Sequence, residues 1–270
     1  MKGKSLFDIS GSIIVITGAS GQLGLEYQRA FLDAGCNVAG IDISKSDDIA
    51  SFEKNFKNNF IFIDCDITSK KSLILSLEKI KERFGSPNVL VNNAAIDSPP
   101  GAPAEETGPF ETYPEDSWDM VLDVNLKGTF LSCQVFGAEM ANQGIGSIIN
   151  ISSIYGLVSP DQSIYQYRRD RGEEFYKPVA YSASKSGVLN LTRYLSSYWA
   201  RKNVRVNSLT IAGVFNNQDK DFLNEYTNRI PIGRMAKPSE YNGALLFLAS
   251  NASSYMTGSN LILDGGWTSI

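Results

Sequence analysis

Tyr181 and Lys185 are the residues whose types and spacing most directly carry chemistry. They open the run YSASKSGVLNLTRYLSSYWA, which reads as an amphipathic helix, and on a helix residues four apart lie on one face. An ammonium beside a phenol stabilises the phenolate and lowers the tyrosine pKa from about 10, which suits a general acid/base. The same pair can equally be two ordinary positions of a helix face. The rest of the chain has to decide between the two readings.

The 270 residues include no histidine, which excludes Ser-His-Asp and Cys-His mechanisms and any His-bearing zinc site. Proton transfer then falls to Tyr, Lys, Ser or carboxylates. Cys36, Cys65 and Cys133 have no C-x-x-C spacing and are expected as buried reduced thiols, with no disulfide and no metal. A net charge of −4 supplies no basic surface for nucleic acid or anionic lipid. The N-terminal stretch MKGKSLFDISGSIIVITG reaches Gly18 after only a strand-length apolar run. It is expected to be neither signal peptide nor membrane span, which points to a cytoplasmic address.

Short apolar runs alternate with longer helical patterns along the whole chain. Strands are expected at 13–17, 37–42, 60–64, 88–92, 147–152, 203–209 and 260–264, and helices at 22–34, 46–57, 69–84, 115–142, 180–201 and 238–249. That alternation predicts βαβ units in one α/β domain over 1–270, a Rossmann-type, doubly wound, seven-stranded parallel sheet with helices on both faces. In such sheets ligands sit beyond the carboxyl ends of the strands, where the strand order reverses.

Polar and glycine residues collect at those ends. Thr17-Gly18-Ala19-Ser20-Gly21-Gln22-Leu23-Gly24 follows the first strand and leads into a helix, a turn that lets a pyrophosphate approach backbone N–H groups at the positive end of the helix. Eighteen residues beyond Gly24, Asp42 ends the second strand. A carboxylate there accepts hydrogen bonds from an adenosine ribose and repels a 2′-phosphate, favouring NAD over NADP; alternatively it caps the next turn. Asp66 after strand three can reach an adenine amino group or cap the helix near Ser69. Asn92-Asn93-Ala94-Ala95 places small residues where a cofactor passes over backbone, and the hydroxyls of Ser152-Ser153 can polarise a substrate carbonyl or simply turn the chain.

With the glycine turn, Asn92-Asn93-Ala94-Ala95, Asn125 in VLDVNLKGTF, Ser153, Tyr181-x-x-x-Lys185 and Asp264-Gly265-Gly266 in this order, the chain resembles the short-chain dehydrogenase/reductase family in its short, single-domain branch, over nearly its whole length. The resemblance implies that Tyr181 exchanges a proton with the substrate oxygen while hydride moves between substrate carbon and nicotinamide. It further implies that Lys185 lowers the tyrosine pKa and binds the nicotinamide ribose, that Ser153 orients the substrate oxygen, and that Asn125 holds a water relaying protons to Lys185. Cofactor contacts are expected at Gly18, Ser20, Gln22, Leu23, Gly24, Asp42, Ile43, Asp66, Ile67, Asn92, Ala94, Tyr181, Lys185, Ala212, Gly213 and Phe215.

Three departures from the family pattern stand out. Gln22 occupies the place of the usual middle glycine, and the spacing Gly18-x-x-Gly21-x-x-Gly24 looks like the extended branch. Ala212-Gly213 stands for the family's Pro-Gly, with no Thr or Ser in Val214-Phe215-Asn216-Asn217, so a nicotinamide amide contact would pass to Asn217 or to backbone. Ser153 and Tyr181 lie 28 residues apart, about twice the usual interval. The extra stretch at about 158–178 carries Tyr165, Tyr167, Arg168, Arg169, Arg171 and Tyr176, and is either a solvated loop with internally paired charges or a substrate lid. A second insertion, at about 97–115, is expected to border the same pocket.

Arginine forks suit phosphate or carboxylate and tyrosines stack on sugar or base, so the expected substrate is a polar, anionic sugar-like secondary alcohol or ketone: a sugar phosphate, nucleotide sugar or sugar acid. Tyr165, Arg168, Arg169, Arg171 and Tyr176 are its expected contacts. An NAD-retaining nucleotide-sugar epimerase or dehydratase could use the same Tyr and Lys, and a non-catalytic NAD-binding scaffold stays open as a third class. The aromatic surplus of LTRYLSSYWA and the C-terminal Trp267 and Ile270 point to a homo-oligomer, dimer or tetramer.

Overall fold

The computed structural model describes residues 5–270; the lysine-bearing first four residues of the N-terminal stretch lie outside the described residues. Seven strands, β1 (Ile13–Thr17), β2 (Asn37–Asp42), β3 (Phe60–Asp64), β4 (Val89–Asn92), β5 (Gly146–Ser153), β6 (Val204–Ile211) and β7 (Asn260–Leu263), form one sheet in the order β3-β2-β1-β4-β5-β6-β7. Every neighbouring pair is parallel, Val15 facing both Ala39 and Leu90 across β1. The order reverses between β1 and β4, which opens the crevice expected of this topology.

Around the sheet run α1 (Gln22–Asp33), α2 (Asp47–Asn55), α3 (Lys70–Arg83), α4 (Glu115–Leu122), α5 (Thr129–Ser132), α6 (Ala138–Gln143), α7 (Gln166–Arg169), α8 (Val179–Trp199), α9 (Lys220–Thr227) and α10 (Asn242–Ala249). The helix expected over 115–142 is α4, α5 and α6 joined end to end through two wider π turns, Asp123–Gly128 and Cys133–Gly137. Such turns concentrate at functional sites, and the first holds Asn125.

Side-chain alternation along the strands sorts the core into two layers. Ile14, Ile16, Val89, Val91, Ile149 and Ile151 pack with Tyr27, Phe31, Leu245 and Leu248 on one face. Val15, Leu90, Ile148 and Val206 pack with Leu73, Phe136, Leu195 and Trp199 on the other. A Cβ added to Gly137 would come within 2.5 Å of the Trp199 ring, so only glycine lets α8 seat so closely there. Among the described residues no helix is long and apolar enough to cross a membrane.

A third apolar cluster at the carboxyl edge of the sheet gathers Ile154, Tyr155, Ile164, Tyr165, Tyr226, Ile230, Met235 and Trp267. Two sequence expectations change here. The 158–178 stretch is neither wholly solvated nor a free lid, because Ile164 and Tyr165 are buried in this cluster against Phe222 of α9. Trp267 is buried by its own chain, its ring 4.5 Å from that of Tyr226, so it leaves no apolar surplus for a partner, while Ile270 stays exposed. Helix α9 is not among the helices expected, although Asp219 caps it, accepting from the N–H groups of Asp221 and Phe222.

Candidate active site

Strand β5 delivers Ser153 to the crevice, and the first two turns of α8 deliver Tyr181 and Lys185 beside it. Strand parity separates the two serines, both buried: Ser152 donates to the Lys185 carbonyl at 3.1 Å, whereas Ser153 lines the cleft together with Tyr181, whose phenolate its hydroxyl favours. The Ser153 Oγ also accepts from the Tyr155 N–H at 3.2 Å, which fixes its direction.

Lys185 is almost wholly buried, with its Nζ 5.7 Å from the Tyr181 ring centroid and donating to the Ile151 carbonyl at 2.9 Å. Burial pushes its amine down to about 8 from 10.5. The Tyr181 phenol is pushed upward, by burial first and then by the negative charge of Asp97, with the Ser153 hydrogen bond acting in the opposite sense. That direction is the reverse of the one expected for a Tyr-Lys pair. The cause is desolvation, which penalises the phenolate and the ammonium alike.

Asn125 does not aim its side chain at Lys185. Its Oδ1 accepts from the Ile96 N–H at 2.8 Å, and its Nδ2 donates to the Ile96 carbonyl at 2.8 Å and to Ser184 Oγ at 3.0 Å. The side chain thus clamps the segment after β4 onto α8, and a water on the Lys185 side would have to use the backbone.

Two clefts meet at Leu23, which lines both. The smaller, of 360 Å³, is lined by Gly18, Gly21, Asp42, Ile43, Asp66, Ile67, Ala94 and Val124, among others. The larger, of 740 Å³, takes in Gln22, Asp97, Ser153, Tyr165, Arg168, Lys177, Tyr181, Ala212 and Gly213. Gly18 adopts φ +66, and a Cβ on it would lie 2.7 Å from Ala94 Cα; one on Gly24 would lie 2.0 Å from the Gly18 carbonyl. Asp42 Oδ2 accepts from the Ser20 N–H at 2.9 Å, and the Ser20 hydroxyl donates to the Ser44 carbonyl at 2.6 Å. Gln22 Nε2 donates to the Phe215 carbonyl at 2.9 Å, tying the turn after β1 to the segment after β6. Asp66 does not cap α3, a role that falls to Ser69; its Oδ1 binds Thr68.

Several expected contacts lie elsewhere. The Asn92 side chain points into the core, donating to Asn150 Oδ1 at 2.8 Å and to Cys133 Sγ at 3.2 Å, so it does not reach the cleft. Arg169 braces its own loop, donating to the Phe175 and Gln162 carbonyls at 2.7 Å each. Arg171 pairs with Asp221 at the surface. Tyr176 lines a different chamber. Only Tyr165 and Arg168 of the expected substrate contacts line the catalytic cleft, and Arg168 is paired with Glu173 and stacked 4.0 Å over Phe175.

In place of those arginines stands a residue the sequence reading did not single out. Lys177 Nζ lies 5.3 Å from the Tyr181 ring centroid and pairs with Asp97 from the other insertion. Thr17 and Asn93, members of the two motifs to which the sequence assigned no role of their own, join those loops. The Thr17 hydroxyl accepts from the Asn93 and Ala94 N–H groups at 2.9 Å each, and Asn93 Nδ2 donates to the Thr17 and Gly18 carbonyls, holding the two loops of the crevice together.

Comparison with known proteins agrees with this geometry. Residues 18–268 match the family model described as enoyl-(acyl carrier protein) reductase. An NAD-dependent glycerol dehydrogenase of Listeria innocua is 30% identical over 267 residues, covering 97% of this chain and 96% of the relative. The chain belongs to the short-chain dehydrogenase/reductase family. A short-chain dehydrogenase from Leptospira borgpetersenii, solved with bound NAD+, has a TM-score of 0.85 at 32% identity and covers 99% and 97% of the two chains. A gluconate 5-dehydrogenase from Burkholderia cenocepacia, solved with NADP and tartrate, has a TM-score of 0.84 at 26% identity, covering 98% of each.

The protein is therefore an oxidoreductase of a family that uses nicotinamide cofactors. The residues present fit such a group. Helix α1 starts at Gln22 with no side chain capping it, which leaves its first N–H groups for a pyrophosphate. A Cβ at Gly21 would meet nothing nearer than the Gly18 carbonyl at 3.5 Å, so the turn is open on the cleft side where a side chain would intrude.

Proposed function

We propose that this chain is an NAD-dependent dehydrogenase of a polyol or sugar acid, oxidising a secondary alcohol or reducing the matching ketone. The observation that carries the reading is a cleft lined by Ser153 and Tyr181, with Lys185 buried against the Tyr181 ring, whose other walls bear Lys177, Asp97 and Arg168. Glycerol and gluconate name the substrates of similar proteins, and both are small polyhydroxy compounds.

In this reading Ser153 holds the substrate oxygen against the Tyr181 phenol, and Tyr181 takes or gives the proton at that oxygen. Lys185 anchors from beneath. A nicotinamide cofactor, when bound, supplies the partner for hydride transfer. Asp42, whose carboxylate receives the Ser20 N–H, would face the adenosine ribose and repel a 2′-phosphate, and so selects NAD. An anionic end of the substrate would be held by Lys177, which shares its charge with Asp97 and so has to exchange one carboxylate for another. Tyr194 and Tyr198 stack 6.1 Å apart on the exposed side of α8, a surface that two copies would bury across a twofold axis.

The test is a panel of polyols, aldonates and sugar phosphates followed by net formation or consumption of NADH, in wild type and in Tyr181→Phe. Net turnover with at least one of them, falling by about a hundredfold or more in Tyr181→Phe, is expected. Turnover without net redox change would replace this reading with an NAD-retaining epimerase or dehydratase. Unchanged activity in Tyr181→Phe would remove it.

A further inference from the structure

Helix α9 and the residues leading into it form one wall of the catalytic cleft, through Gly213, Asn216, Asp219, Phe222 and Tyr226. The helix spans only Lys220–Thr227, a length that does not hold itself helical in water. Its order therefore comes from what packs on it. Phe222, Leu223 and Tyr226 lie on one face, and that face joins Ile230 in the apolar cluster that contains Ile164 and Tyr165 of the 158–178 insertion. Ile164 is fully buried there, and the Tyr165 ring stacks on Phe222 at 6.0 Å.

The same insertion grips both ends of the helix. At the start, Asp219 caps α9 with its Oδ1, accepting from the Asp221 and Phe222 N–H groups, while its Oδ2 accepts the Tyr167 hydroxyl at 2.8 Å. Arg171 pairs with Asp221 beside it. Past the last turn, Arg229 divides its fork between the two segments. Its Nη1 donates to the Glu225 carbonyl of α9 at 2.6 Å, its Nε to Asp161 Oδ2 at 2.8 Å and its Nη2 to Ser163 Oγ at 2.7 Å. Asp161 is itself fixed, because its Oδ1 accepts from the Ser163 N–H at 2.9 Å. Single exposed ion pairs contribute little, but a guanidinium with all three nitrogens engaged on a partly buried site is held in one geometry.

This grip reaches the cofactor end of the cleft. The Tyr226 hydroxyl accepts from the Gly213 N–H at 2.8 Å, so the place of α9 sets the place of the turn after β6.

We propose that Arg229 is a positioning residue: with Tyr165 and Tyr167 it splints α9 to the 158–178 insertion, so that this cleft wall and Gly213 stand in their working places before cofactor or substrate binds. Binding then carries no cost for ordering the wall, a cost that reappears as weaker affinity when the splint is cut. The proposal concerns the wall alone and holds whichever alcohol is oxidised beside it.

Hydrogen exchange of the full chain, followed by mass spectrometry with and without saturating NADH, tests it in wild type, Arg229→Met and Tyr167→Phe, beside fluorescence titrations of NADH. In wild type the α9 amides should be protected without NADH and change less than about twofold when it is added. In Arg229→Met they should exchange roughly tenfold faster, the scale of losing hydrogen bonds to a charged group, with β5 and β6 unchanged. NADH should restore that protection and bind a few fold more weakly than to wild type. Tyr167→Phe, which lacks one hydroxyl, should show about a threefold acceleration in α9. Wild-type α9 protected only once NADH is added, wild-type rates or wild-type NADH affinity in Arg229→Met, or acceleration in β5 and β6 equal to that in α9 would each overturn the proposal. If Arg229→Met does not fold, wild-type α9 exchange in Tyr167→Phe overturns it instead. Failure of wild type to bind NADH would count against the dehydrogenase reading, while the α9 rates without NADH still decide on the splint.

Discussion

Lys177 Nζ stands 5.3 Å from the centre of the Tyr181 ring, nearer than Lys185 Nζ at 5.7 Å, and Lys177 is held there by Asp97. Tyr181 therefore faces two ammonium groups, one carboxylate, the Ser153 hydroxyl and the phenol of Tyr226. Burial and Asp97 disfavour its phenolate, and Ser153 favours it.

In alcohol oxidation the proposed base is the phenolate, so the rate rises as pH climbs through the Tyr181 pKa. Asp97→Asn removes a charge that raises that pKa and frees Lys177 to lower it, so the acid limb of the pH-rate profile moves to lower pH. Lys177→Met removes the nearer cation and moves the limb to higher pH. Profiles of kcat/KM for the two variants should thus shift in opposite directions. Shifts of the same sign would show that Asp97 and Lys177 act on Tyr181 through shape and not charge.

Lys185 offers a separate check through stability. Its folded pKa near 8 lies below its ordinary 10.5. Below about 8 it is protonated in both folded and unfolded chains, and the folded state bears the full cost of burying the charge. Between 8 and 10.5 the folded state sheds its proton first and the cost fades. Lys185→Met lacks this dependence and instead carries a constant penalty for leaving the Ile151 carbonyl without its donor. Measured by urea unfolding, wild type should gain on Lys185→Met by about 3 kcal/mol from neutral to strongly alkaline pH. A difference independent of pH would mean that the amine is hydrated in the fold.

The cofactor end yields a charge test. Asp42→Asn keeps the shape that receives the Ser20 N–H at 2.9 Å but drops the repulsion toward a 2′-phosphate. The ratio of kcat/KM for NADP to that for NAD should rise by about tenfold or more, since opposing like charges costs several kcal/mol at a contact. Initial rates with each cofactor measure it, and an unchanged ratio would place the selectivity in the backbone around Ser44 instead.

Much of the frame was readable because its signals are local. The apolar runs at 13–17, 37–42 and 60–64 coincide with β1, β2 and β3, since parallel strands packed between two helix layers are near-continuously apolar until their polar ends. The choice of Ser153 over Ser152 rested on strand alternation together with the family resemblance, and the pairing of Tyr181 with Lys185 on helical spacing; Ser153 and Tyr181 both line the cleft. Asn92 was readable but not read: it has the parity of Leu90, whose layer contains Cys133, the atom Asn92 reaches. The insertions were not readable, because their charges find partners far along the chain. Lys177 and Asp97 are 80 residues apart, and Arg171 meets Asp221 50 residues on, so nothing local separates the lysine that faces Tyr181 from the arginine that faces solvent. The reach of Arg229 to Asp161, 68 residues away, is likewise a property of packing.

The glycine turn allows the sharpest separation of folding from binding. Gly18 has φ +66 and a Cβ there would meet Ala94 Cα at 2.7 Å, backbone against backbone, with Thr17 and Asn93 pinning both sides. Gly18→Ala should cost at least about 1 to 2 kcal/mol from the left-handed conformation alone, before the clash is counted. Gly21 has φ −75, which any residue adopts, and a Cβ would find only the Gly18 carbonyl, at 3.5 Å. Gly21→Ala should therefore keep its melting temperature within a few degrees of wild type. Its methyl would stand in the wall of the 360 Å³ cleft, so KM for the cofactor should rise while unfolding is unaffected. Melting curves beside cofactor titrations resolve the two variants. If Gly21→Ala bound the cofactor as wild type does, the pyrophosphate would have to cross the crevice at Leu23 and Gly24, away from this turn.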